Sequence, residues 1–84
     1  MSRVAIDAAI HAWPWPRPVM GVRWDLVTHP ARPAVFLDTR DLGVRDRTAL
    51  CMPVSVYVGD APGLVEARIR NAALTAKYCI EEAV

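Results

Sequence analysis

Six residues of this chain, WPWPRP at 13–18, constrain its fold more than any others. Prolines at 14, 16 and 18 each hold φ at about −65° and carry no amide N–H. A helix cannot pass through this piece and no interior strand can use it, so it is extended or polyproline-like. It separates two periodic stretches. Before it, Ile6, Ala9, Ile10 and Trp13 recur at i, i+3, i+4 and i+7, which predicts a helix over 3–13 with these residues inward and Ser2 as N-cap. Pro14 ends that helix, because the residue before a proline is pushed out of the helical region. After it, residues 19–27 alternate. Met20, Val22, Trp24 and Leu26 are expected to face the core, and Gly21, Arg23 and Asp25 the solvent.

THPARP at 28–33 is a turn, and AVFLDT at 34–39 reads as a second strand. RDLGVRDR at 40–47 is a charged loop. ALCMPVSVYV at 49–58 is the third strand, with Leu50, Met52, Val54, Val56 and Val58 on one face. Pro53 lacks a ladder donor, which assigns this strand to a sheet edge or a bulge. Asp60 followed by Pro62 marks a helix start, and Glu66 lies near the positive end of its dipole. The helix is predicted over 62–83, with Val65, Ile69, Ala72, Ala73, Ala76 and Ile80 inward. Glu66–Arg70 and Lys77–Glu81 are spaced as i, i+4 pairs on its wet side. The order is α-β-β-β-α. The predicted fold is α+β and two-layered, a three-stranded antiparallel meander covered by the C-terminal helix.

With 84 residues the chain is expected to form one domain, 1–84, with little room for a deep cleft beside its core. Apolar residues make up 54%, which excludes a disordered composition. The net charge is +1 with Arg and Asp interspersed, so no strong long-range field is expected. Arg, Ala, Val and Pro dominate, Gln is absent and Asn71 is the only Asn, as in chains from GC-rich bacterial or phage genomes. Arg3, Asp7 and His11 interrupt the first apolar run, so no signal peptide is expected, and no run reaches the roughly 18 apolar residues of a spanning helix. A cytoplasmic location follows as an expectation, with Cys51 and Cys79 as reduced, buried thiols.

The chemistry-bearing residues form no recognisable catalytic set. His11, His29, Cys51 and Cys79 include neither a C-x-x-C nor an H-x₃-H pair, so neither a metal nor another cofactor is expected. His11 is expected to pair with Asp7. Ser55 lies mid-strand rather than on a sharp turn, and VGDAPG has two glycines at the wrong spacing for a phosphate loop. No catalytic residue is expected. Trp15 is the tryptophan without an assigned core face. With Arg17 beside it, it is the expected protein-binding anchor, because Trp and Arg are enriched at binding hot spots. Arg40, Arg45 and Arg47 of the charged loop would join that surface, or contact phosphate.

WPWPRP resembles the centre of indolicidin-like antimicrobial peptides, without their high cationic charge. The element order and the Ala-rich final helix VEARIRNAALTAKYCI are similar to the double-stranded RNA-binding domain. That family grips phosphates with a Lys-Lys-x-Ala-Lys cluster opening the last helix. Here those positions read Leu64, Val65, Glu66, Ala67 and Arg68, of which Ala67 and Arg68 match and Glu66 opposes phosphate. The resemblance implies a shared fold and, as the alternative function, nucleic-acid binding. The leading expectation is a non-catalytic module that binds another protein, as an inhibitor, an antitoxin-type regulator or an anti-defence factor of the anti-CRISPR kind. Homodimerisation through a sheet edge is also expected, since three strands leave two edges and Pro53 blunts one. No membrane partner is expected.

Overall fold

The computed structural model describes residues 1–27, 31–42 and 49–83. In chain order the elements are α1 (Arg3–Ala12), β1 (Val19–Asp25), β2 (Arg32–Asp38), a 3-10 turn (Arg40–Leu42), β3 (Ala49–Pro53) and α2 (Pro62–Ala83). The strands form one antiparallel sheet in the order β1-β2-β3. Ile6 and Ile10 of α1, Val65, Ile69, Ala72 and Ala76 of α2, and Val35, Leu37 and Met52 of the sheet share one buried cluster. Both helices therefore lie on one face of the sheet, in an α+β fold of two layers.

Local chemistry sets the ends of α1. Ser2 is extended, and its hydroxyl accepts the Ala5 N–H at 3.1 Å, filling one of the donors a helix start leaves open. At the other end Trp13 has ψ 139°, the extended conformation that a following proline enforces.

In β1 the alternation is broken. Val19 pairs with Leu37 and Gly21 with Phe36, so Met20 is the extra residue of a bulge. Val19, Val22 and Trp24 pack on the core, while Met20 is 52% exposed. This corrects the expected inner face, since a one-residue insertion flips the side chains that precede it. Leu26, also expected inside, lies beyond the end of the strand and is exposed.

β3 is an edge strand, the place where Pro53 is tolerated. The ladder ends there, five residues earlier than the alternation suggested, and Val54 still donates to the Pro33 carbonyl at 3.0 Å. Burial keeps alternating through Met52, Val54 and Val56, but Val58 is exposed, in a turn. That turn runs from Tyr57 to Asp60 and is closed by the Asp60 N–H to the Tyr57 carbonyl at 3.1 Å. Gly59 takes φ +97°, a value that side chains disfavour. The Asp60 carboxylate accepts the Tyr57 N–H at 3.0 Å, so it staples the turn ahead of α2. The Met1 amine donates to the Asp60 carbonyl at 2.6 Å, and Gly59 N–H to the Met1 carbonyl at 2.9 Å. These bonds join the start of α1 to the start of α2.

α2 buries Val65, Ile69, Ala72, Ala73 and Ala76. Burying Val65 or Ile69 contributes about 1.5–3 kcal/mol each. The alanines contribute less area, but they let the helix axis approach the sheet. Cys51 does not follow the expected burial. Leu50 and Met52 turn inward in β3, so Cys51 between them faces out and is exposed. Cys79 is half-buried against the core, and both thiols are free. Among the described residues no helix is long and apolar enough to cross a membrane.

Candidate interaction surface at the proline corner

The segment 13–18 holds its shape through a few bonds. Trp15 N–H donates to the Trp13 carbonyl at 3.0 Å. The indole N–H of Trp15 reaches back to the Ile10 carbonyl at 2.8 Å. Ile10 also accepts from Trp13 N–H at 3.2 Å, so a carbonyl left open by the end of α1 receives two donors. Trp15 is thus half-buried and packed on the core, where an exposed anchor was expected. The prolines remove backbone donors locally, and the indole supplies one of the missing caps.

Arg17 is held as well. Its Nε donates to the Asp38 carbonyl at 3.2 Å and its Nη2 pairs with the Asp41 carboxylate. Asp38 N–H in turn donates to the Pro18 carbonyl at 2.9 Å. The proline corner is thereby tied to the end of β2 and to the 3-10 turn. Arg40 grips the Asp38 carboxylate with both ends of its fork, at 3.0 and 2.8 Å, and its backbone N–H adds a third bond at 3.0 Å. Those donated bonds from Arg40 hold the Asp38 carboxyl at about 2, below its ordinary 3.8. The same carboxylate raises the Arg40 guanidinium. Of the residues expected to form the site, Trp15, Arg17 and Arg40 thus converge around one corner, engaged with their own chain. Arg45, Arg47 and His29 lie outside the described residues.

Beside this network the corner opens to solvent. Trp13, Pro14 and Pro16 form one wall of a groove of about 380 Å³, and Arg70, Ala73, Leu74 and Lys77 of α2 form the other. Leu74 is half exposed. Arg70 and Lys77 have no ion-pair or hydrogen-bond partner among the described residues. The expected pairs Glu66–Arg70 and Lys77–Glu81 do not close, because exposed long side chains gain little from pairing in water. Arg70, Leu74 and Lys77 were not expected in the site. The signal was present: Leu74 and Tyr78 are apolar residues at i, i+4 outside the inward stripe of α2, on a helix whose outer side also exposes Leu64.

Other surfaces carry less. The uncovered face of the sheet shows Met20, exposed Cys51, and Phe36 with the Arg23 guanidinium 5.3 Å from its ring centroid. Arg68, one of the two positions matching the RNA-binding pattern, donates to the Ser55 carbonyl at 2.7 Å. His11 lies 3.7 Å from Asp7, the expected exposed pair. Among the described residues no group of three His, Cys, Asp or Glu side chains is placed to hold a metal. The Trp24 indole N–H and the Thr39 hydroxyl are buried without a hydrogen-bond partner among the described residues.

What fold and surface define together is a small α+β domain with a proline-stiffened, Trp-lined corner. Compared with models of known protein families, with characterised proteins and with solved structures, the chain shows no significant match.

Proposed function

We propose that this chain is a small non-catalytic protein-binding module, an inhibitor or regulator that works by contact at the proline corner. One observation carries this. A rigid wall of Trp13, Pro14 and Pro16 faces an exposed Leu74 between two cations that have no partner among the described residues. Rigid aromatic and proline surface loses little entropy on binding, which is what an interface anchor requires. Trp15 and Arg17, next to the wall in sequence, are held in place by bonds to the Ile10 and Asp38 carbonyls. An anti-defence role of the anti-CRISPR kind, in bacteria or their phages, or an antitoxin-type role, fits this size and composition and a cytoplasmic site of action. The open β1 edge favours a second copy of the chain as an additional partner.

Nucleic-acid binding is the alternative, and the geometry favours it less. Arg17, Arg40 and Arg68 each already bond an acceptor of their own chain. Affinity capture from the source cell separates the readings. The partner is expected to be a protein retained through moderate salt, and lost when Leu74→Ser is introduced without change in the circular dichroism spectrum. Equal capture by wild type and variant would show that the corner is not the contact. Binding that collapses steeply with salt would indicate phosphate.

A further inference from the structure

The groove between the proline corner and α2 has a specific chemistry. Five of its lining residues are apolar: Trp13, Pro14 and Pro16 on one wall, Ala73 and Leu74 on the other. Its charged lining residues are Arg70 and Lys77, both cationic. They are seven residues apart on the helix, close to two turns, so they bracket Leu74 on one face. Glu66 and Glu81, one turn beyond each cation, are outside the lining and do not pair with them. The acids bonded to this corner are already engaged, Asp38 by Arg40, Asp41 by Arg17 and Asp7 by His11. The groove therefore presents two positive charges around an apolar slot, in a chain whose net charge is only +1.

Resting on the protein-binding reading, we propose that this groove seats a short acidic–apolar segment of the partner protein. A bulky apolar side chain of that segment enters against Trp13, Pro16 and Leu74. Carboxylates on either side of it meet Arg70 and Lys77. A volume of about 380 Å³ suits one or two side chains and not a folded element. A basic segment would set like charges together and is disfavoured. A nucleic-acid strand would use the cations but leave the apolar slot without a fitting group, since two phosphate contacts supply little of a strand's affinity.

The test uses isotope-labelled full chain and two synthetic peptides of equal length, one alternating leucine with aspartate and one alternating leucine with lysine. The aspartate peptide is expected to shift the Trp13 indole resonance and the backbone amides of Arg70–Lys77. The lysine peptide is expected to leave them in place. Reversing both charges, with Arg70→Glu and Lys77→Glu together, should weaken the aspartate peptide by about tenfold or more and admit the lysine peptide. These positions are exposed, so the variant should retain the wild-type spectrum elsewhere. Equal binding of both peptides, shifts confined to the uncovered sheet face, or no shift at millimolar peptide would each overturn the assignment. Tighter binding of a single-stranded oligonucleotide at the same resonances would also overturn it, in favour of phosphate. A captured cellular protein that binds the charge-reversed variant as well as wild type would sink the acidic segment alone and leave the protein-binding module standing. A chain that captures no protein would sink both.

Discussion

The Trp15 side chain links the proline segment to the end of α1 through one hydrogen bond, 2.8 Å from its indole nitrogen to the Ile10 carbonyl. Phenylalanine at this position keeps the ring and loses the donor. Trp15→Phe is expected to destabilise the fold by about 1 kcal/mol, the usual net value of such a bond, visible as a lower midpoint in urea. An unchanged midpoint would show that solvent caps Ile10 equally well. Asp38 gives a prediction about pH. Its carboxyl sits at about 2 in the folded chain, below the ordinary 3.8, because Arg40 donates to it from side chain and backbone. A group with a depressed folded pKa stabilises the fold above its ordinary pKa, and that contribution is lost as the pH falls through the folded value. The gap in stability between wild type and Asp38→Asn should therefore shrink between about pH 4 and about pH 2. A gap that stays constant over that range would mean that the pairing with Arg40 does not persist in solution.

At the scale of elements, the distance between α2 and the sheet depends on small side chains. Ala76 is fully buried, with Ala72 and Ala73 beside it on the same face. Ala76→Leu adds three carbons where the helix lies against its neighbours. It is expected to destabilise by about 1–3 kcal/mol, read from chemical denaturation. A neutral result would mean that α2 can slide outward, and that the groove wall it carries is less rigid than proposed. β1 and β3 show the opposite design. The bulge at Met20 and the proline at 53 both interrupt regular pairing, one on each outer strand. Such interruptions discourage uncontrolled edge pairing without abolishing it.

At the scale of the whole molecule, β1 is the edge still open to addition, because Pro53 removes a donor from the other. A reversible dimer through β1 is expected in sedimentation equilibrium. Met20→Lys should weaken it, since a lysine on an edge strand opposes pairing with a second chain. A monomer at every concentration would remove the dimer from the functional picture. The uncovered face of the sheet, with Met20, Phe36 and Cys51, would then be an apolar surface without an assigned partner.

Periodicity and the prolines by themselves determined the order α-β-β-β-α, the end of α1 at Trp13, the choice of a sheet edge or a bulge for β3, and most of the buried stripe of α2. These are local facts: a proline forbids a donor wherever it stands, and a repeat of 3.6 or 2 holds whatever lies opposite. Only the tertiary structure decided the rest. The bulge that turns Met20 outward comes from pairing with β2, and a one-residue offset leaves no mark in a run that alternates cleanly. Trp15 and Asp60 are different, because their partners are local, the Ile10 carbonyl five residues back and the Tyr57 amide three residues back; the hydrophobic pattern simply does not register such side-chain to backbone bonds. Arg17 looked free in sequence because its acceptors lie on the end of β2 and in the 3-10 turn, whereas the acceptor of Arg40 is Asp38, only two residues away. The groove exists only because α2 runs past the proline corner, bringing Leu74 to Trp13 across sixty residues of chain. Patterns along a chain specify which face is buried. Which surfaces meet, and which charges remain available to a partner, is settled by packing between distant segments.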